Sequence, residues 1–152
     1  MYTACSIIKN RSIDPVAFQV TYKYAAESRL GTTAWLEPGD KLSLYDLLFG
    51  LMLPSGNDAA VAISIALGEV LLEDLDRNAR DNKNPNGSLN ARRTYLAAMN
   101  AECKNLGLKM SQLQNSHGLV NIFNQTTALD TARIFSQGML NYPLFKKVVT
   151  TA

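Results

Sequence analysis

The stretch Leu53-Pro54-Ser55-Gly56-Asn57-Asp58 constrains the fold of this chain more than any other feature, because it stops one apolar helical segment and starts another within a few residues. Upstream, Ser43-Leu44-Tyr45-Asp46 has the hydroxyl-x-x-carboxylate form of a capping box, and Leu44, Leu47, Leu48, Leu51 and Met52 recur at helical spacing. Pro54 cannot continue that helix, since it lacks the amide hydrogen and its ring collides with the preceding turn. Downstream, residues 58–67 are apolar almost all round, with alanines at 59, 60, 62 and 66. That pattern predicts a central, closely packed helix stopping at Gly68. Ser55 and Asn57 are thereby carried on a loop anchored at both ends, which can aim two polar side chains into a cleft.

The rest of the chain reads as further helices with little room for sheet. Residues 2–9 are apolar enough for a buried helix that Asp14-Pro15 interrupts, and Phe18-Gln19-Val20-Thr21-Tyr22 alternates as a short strand does. Glu37-Pro38-Gly39-Asp40 is a turn. Residues 73–90 are charged and asparagine-rich, contain Asn84-Pro85-Asn86-Gly87, and predict a polar inserted loop. Tyr95, Leu96, Met99, Cys103 and Leu106 then form a helical stripe that Gly107 ends. Thr127-Ala128-Leu129-Asp130 caps a last helix with Ala128, Ala132, Phe135 and Met139 as its apolar stripe, and Pro143 closes it. Without an internal repeat or a second apolar unit, residues 1–152 predict a single, mainly α domain.

Composition narrows the function classes. A chain of 152 residues with 47% hydrophobic content supports one ordinary core. Fifteen basic against thirteen acidic residues leave a net charge of +2, too little to argue for nucleic acid or an anionic membrane as partner. No window approaches the eighteen apolar residues of a membrane span, and the N-terminal segment has no signal-peptide pattern. Cys5 and Cys103 have no metal-ligand spacing and read as free core thiols, so neither a metal nor a cofactor is implied.

The motifs, taken in order, resemble the serine D-alanyl-D-alanine carboxypeptidases, the low-molecular-mass penicillin-binding proteins with a β-lactamase-like fold. Ser55-Gly56-Asn57 has the family's Ser-x-Asn form, with Leu47-Leu48-Phe49-Gly50 before it and Ala60-Val61-Ala62-Ile63 after. Met99-Asn100-Ala101, Leu106-Gly107-Leu108-Lys109, Asn115-Ser116-His117-Gly118-Leu119 and Thr127-Ala128-Leu129-Asp130 follow in the family's order. The resemblance implies the helical subdomain of an α+β fold, with most of the antiparallel sheet absent from this chain. It also implies an acyl-serine peptidase, usually extracytoplasmic, that acts on D-Ala-D-Ala peptide ends. Ser55 would relay a proton between a catalytic lysine and the leaving group, and Asn57 would orient that lysine and the substrate carbonyl.

Two family motifs are missing from these residues. The nucleophile's Ser-x-x-Lys belongs just upstream of Met1 in the matching register, and no Lys-Thr-Gly is present. Ser6-Ile7-Ile8-Lys9 has the literal spacing and is kept as an alternative hydroxyl–amine pair. His117, the single histidine, lies in what the resemblance makes a structural turn. Ser55 and Asn57 themselves read either as site residues or as helix punctuation, because asparagine is a strong N-cap. Either the chain is part of an active peptidase, or it is a non-catalytic subunit of a larger assembly. Both readings expect protein surface to cover the stripes of residues 44–52 and 128–139, where the missing sheet would pack.

Overall fold

Capping residues written into the sequence start helices where the backbone needs them. The computed structural model describes residues 1–23, 30–78 and 87–151, with the side chains of 76–78 and 87 outside that description. In chain order its elements are α1 (Tyr2–Asn10), β1 (Gln19–Thr21), β2 (Lys41–Ser43), α2 (Leu44–Met52), α3 (Asn57–Asn78), α4 (Gly87–Asn105), α5 (Ala128–Asn141) and α6 (Pro143–Val149). Ser43 Oγ accepts the Asp46 amide at 3.0 Å and donates to the Asp46 carboxylate at 2.6 Å, opening α2. Thr127 Oγ1 accepts the Asp130 amide at 3.1 Å, opening α5. Each such cap satisfies amides that the first helical turn leaves free, at about 1 kcal/mol. Gly107, with φ +66°, closes α4 as expected.

The expected class, mainly α with little sheet, is what forms. Among the described residues one sheet is present, β1 and β2 paired antiparallel with Val20 opposite Leu42. The Glu37–Asp40 turn leads into β2, and the Glu37 carbonyl accepts the Asp40 amide at 3.0 Å.

The core is built around α3. Ala59, Ile63 and Leu67 of α3 are at most 1% exposed and share one core with Leu44, Leu47 and Leu48 of α2, Ala4, Ile7 and Ile8 of α1, Tyr95 of α4 and Val148 of α6. Each large aliphatic side chain removed from water contributes about 1.5–3 kcal/mol. Leu44, Leu47 and Leu48 of the α2 stripe expected to need an outside partner are closed within the chain, because α3 and α6 both pack on α2, whereas Met52 stays exposed.

Gly68 does not end the central helix, which continues to Asn78. A Cβ on Gly68 would lie 2.0 Å from the Ala91 carbonyl oxygen and 2.5 Å from its carbon. The glycine therefore marks where the backbone of α4 touches α3, and the two helices pack along each other from there. Arg11, just past α1, reaches Asp74 at 2.5 Å and ties the extension of α3 to the first helix. Helix thus occupies both flanks of the stretch expected as a polar loop, and its middle, residues 79–86, lies outside the described residues.

The inner face of α5 also differs from the sequence pattern. Asp130 and Gly138 are buried and Ile134 half-buried, whereas Ala128, Ala132 and Phe135 are exposed and Met139 is half-buried. Two contacts decide the rotation. The Asp130 carboxylate accepts the Met110 amide at 3.2 Å and the Ser111 hydroxyl at 2.9 Å, and Gly138 leaves room for the Phe145 ring. A buried carboxylate with fixed partners outweighs a modest apolar stripe.

Cys5 and Cys103 are free and buried, as read from the sequence. Burial pushes the Cys5 thiol up to about 11, and burial first, then the Asp130 and Glu102 charges, push Cys103 upward.

Two outcomes follow. Gly68→Ala should cost on the order of 1–3 kcal/mol in urea denaturation by forcing α3 and α4 apart, and a neutral result would mean the contact at Ala91 is not made. At pH 8 about one Cys5 in a thousand is a thiolate, so maleimide should label the native chain slowly and faster as pH rises towards 11.

Candidate active site

The Ser-x-Asn loop owes its shape to hydrogen bonds from both sides. The Gly56 amide donates to the Gly50 carbonyl at 3.1 Å, tying the turn to the end of α2, and the Gly56 carbonyl accepts the Ala60 amide at 3.0 Å inside α3. A Cβ on Gly56 would meet Gly50 O at 2.6 Å, Asp58 Oδ1 at 2.8 Å and the Ala34 methyl at 2.9 Å, so no larger residue fits. Ser55 is forced to φ +56°, a left-handed conformation that costs a non-glycine residue about 1–2 kcal/mol. It is exposed, and no hydrogen bond from its hydroxyl to the described residues is formed. The hydroxyl is presented at the turn's outer surface.

Asn57, by contrast, is 4% exposed. Its amide nitrogen Nδ2 donates to the Leu30 carbonyl at 2.5 Å, and its backbone amide donates to the Thr32 carbonyl at 2.9 Å. Thr32 Oγ1 in turn donates to the Ser55 carbonyl at 2.6 Å. Residues 30–34 are therefore strapped along the motif loop.

The strap is completed by Asp58, which is 2% exposed. Its Oδ1 accepts the amides of Ala34 at 2.8 Å and Ala59 at 2.9 Å, and Oδ2 accepts that of Leu36 at 3.0 Å. Carboxylate acceptors make each such bond worth about 1.5–3 kcal/mol, and a negative charge also suits the first turn of α3. Sequence reasoning missed both Asp58 and the strap. Asn57 is the first residue of α3 and donates its side-chain amide, so it is not the N-cap that the sequence offered; an acid in the first turn of an all-round apolar helix, together with the polar run Gly31-Thr32-Thr33, is the signal that could have found them. The strap and loop line a cleft of about 700 Å³, with Thr32, Trp35, Glu37, Pro54 and Asp58 among its walls.

The alternative candidates separate from this site. Ser6 is 2% exposed and donates to Glu102 Oε1 at 2.5 Å, while exposed Lys9 places its ammonium 5.6 Å from the Tyr142 ring centroid. The Ser6–Lys9 pair is not formed. His117 Nδ1 accepts the Leu119 amide at 3.2 Å, and Asn115 closes the same turn by accepting the Gly118 amide at 2.7 Å and donating to the Leu119 carbonyl at 3.0 Å. Asn100 pairs with both backbone groups of Leu113 at 2.9 Å. These motif residues hold the connector between α4 and α5, and none carries chemistry to Ser55. No cluster of metal-ligating side chains occurs among the described residues.

Comparison with known proteins finds similar chains and a similar fold. A D-alanyl-D-alanine carboxypeptidase of Streptomyces sp. strain K15 is 32% identical over 138 residues, which is 90% of this chain and 41% of that protein. The chain is homologous to the D-alanyl-D-alanine carboxypeptidases. Carboxypeptidase DacF of Bacillus subtilis strain 168 is 27% identical over 126 residues, 83% of this chain and 27% of its own length. The crystal structure of the Streptomyces K15 DD-transpeptidase superposes with a TM-score of 0.75 at 27% identity, covering 99% of this chain and 53% of that one. No protein-family model matches the chain. These residues therefore span about half or less of the DD-peptidases they match, and hold the helical portion of that fold.

The strained turn makes a measurable statement. Ser55→Gly should stabilise the chain by about 1 kcal/mol in urea denaturation, since glycine adopts positive φ freely, while Ser55→Ala should not. Equal stability of the two variants would show that the turn is not strained.

Proposed function

We propose that this chain supplies the helical wall of an acyl-serine peptidase site acting on D-alanyl-D-alanine peptide ends. Ser55 is the proton relay and Asn57 the orienting amide, and residues 1–152 act as one helical unit. The reading is carried by one observation: a serine hydroxyl is held outward on a strained turn two residues from a buried asparagine, between the cleft-lining residues Pro54 and Asp58, in a chain homologous to DD-peptidases. A serine hydroxyl has no useful basicity of its own, so Ser55 moves a proton only between charged or reacting partners. In this mechanism the attacking serine and its lysine come from a Ser-x-x-Lys segment, and the substrate is held by a Lys-Thr-Gly strand. Neither motif lies within these 152 residues at the matching register, so they are inactive alone.

A second reading, a non-catalytic subunit that keeps the helical portion, is favoured by a specific contact. Asn57 spends an amide hydrogen on the Leu30 carbonyl, a structural use of the side chain that should orient a lysine. Leu129, Phe135 and Leu140 also leave the outer side of α5 apolar, which suits a covering partner in either reading.

A fluorescent penicillin separates the two. The 152-residue chain should take no covalent label, whereas the native protein purified from its source should be labelled. In that native protein Ser55→Ala should slow acylation by about 10²-fold or more, the usual worth of a positioned proton-transfer group. A native protein no longer than these residues that takes no label would establish the non-catalytic reading instead.

A further inference from the structure

The tryptophan at the mouth of the cleft is held in an arrangement that its own preferences oppose. Trp35 is 87% exposed and its backbone sits at φ +60°, in the left-handed region that a bulky residue adopts only under constraint. The constraint is the Asp58 carboxylate. It grips the amides immediately before and after Trp35, those of Ala34 and Leu36, one with each oxygen. A large apolar ring is thus turned into solvent by a buried charge, where hydrophobic burial alone would have turned it in. Strained, exposed aromatics held by such clamps are found where ligands dock.

The surroundings define the chemistry. Trp35 lines the cleft of about 700 Å³ together with Tyr22 and Glu37, and the wall includes Pro54 and Asp58, the residues on either side of Ser55-Gly56-Asn57. The carboxylate of Asp58 is committed to three backbone amides, whereas Glu37 is exposed and makes no ion pair with the described residues. Among the described residues no lysine or arginine lines this cleft. An aromatic ring and an uncommitted carboxylate lining one cleft, with no competing cation among the described residues, select a cationic group: the ring quadrupole attracts it and the carboxylate adds charge pairing.

We infer that Trp35 and Glu37 form a subsite for a primary ammonium group, such as that of a basic side chain in a peptide lying along the cleft. Its role as a specificity element of the peptidase rests on the function proposed above; the binding itself does not.

Trp35 is the single tryptophan of the chain, so its emission reports its own surroundings. The 152-residue chain is titrated with Nα-acetyl-lysine amide and, separately, with the uncharged isostere Nα-acetyl-norleucine amide. The lysine compound should give a saturable change in emission, and the norleucine compound should bind about tenfold more weakly or less well still. Glu37→Gln, an exposed change that leaves the fold intact by circular dichroism, should remove most of that preference. Equal responses to the two compounds, no saturation with the lysine compound, or a Glu37→Gln chain that titrates like the parent would each overturn the assignment. The penicillin experiment fails or succeeds independently of this titration, so the loss of one reading is distinguishable from the loss of the other.

Discussion

A carboxylate buried at the first turn of an apolar helix sets the terms for the structure around it. Asp58 cannot be solvated at 2% exposure, so its oxygens must find donors, and they find the amides of Ala34, Leu36 and Ala59. Those bonds draw a segment 22 to 24 residues upstream against the start of α3. From that follow the strap over the Ser-x-Asn loop, the exclusion of any side chain at Gly56, and the outward display of Trp35. Removing the carboxylate would leave the amides unpaired and free the strap, at a cost that no single surface contact could offset.

The same logic recurs at the other end of the chain. Asp130 is buried at the first turn of α5 and holds Met110 and Ser111, much as Asp58 holds 34 and 36. Asn100 and Asn115 fix the connector by acting as surrogate backbone. With one small sheet among the described residues, strand pairing does not satisfy their long extended segments. Side-chain amides and carboxylates at helix starts take over that task, and each draws a distant segment into register.

The site inherits its precision from these supports. Ser55 and Asn57 sit two residues apart but face opposite environments, one hydroxyl outward and one amide inward, because Gly56 lets the backbone turn at the one point where a Cβ would collide. Homology to the DD-peptidases gives that arrangement a chemical context. In the proposed mechanism these residues would supply orientation and proton relay, and the attacking group would belong to another part of the fold.

Local chemistry was legible in the sequence wherever a few adjacent residues decide the outcome. The caps at Ser43 and Thr127, the stop at Pro54, the turn at 37–40 and the all-round apolar start of α3 are settled by hydrogen bonds and sterics within four or five positions, and stand as read. Tertiary structure decided the rest, because the deciding partner lay far along the chain. Gly68 reads locally as a helix stop, yet Ala91 makes it a contact point, since only a residue without Cβ admits another backbone at that distance. The apolar stripe of α5 reads locally as its inner face, yet the need of Asp130 for donors at 110 and 111 rotates it outward. Trp35 carries no signal of its placement in the residues beside it. Its exposure exists only because an aspartate 23 positions later holds the two amides beside it.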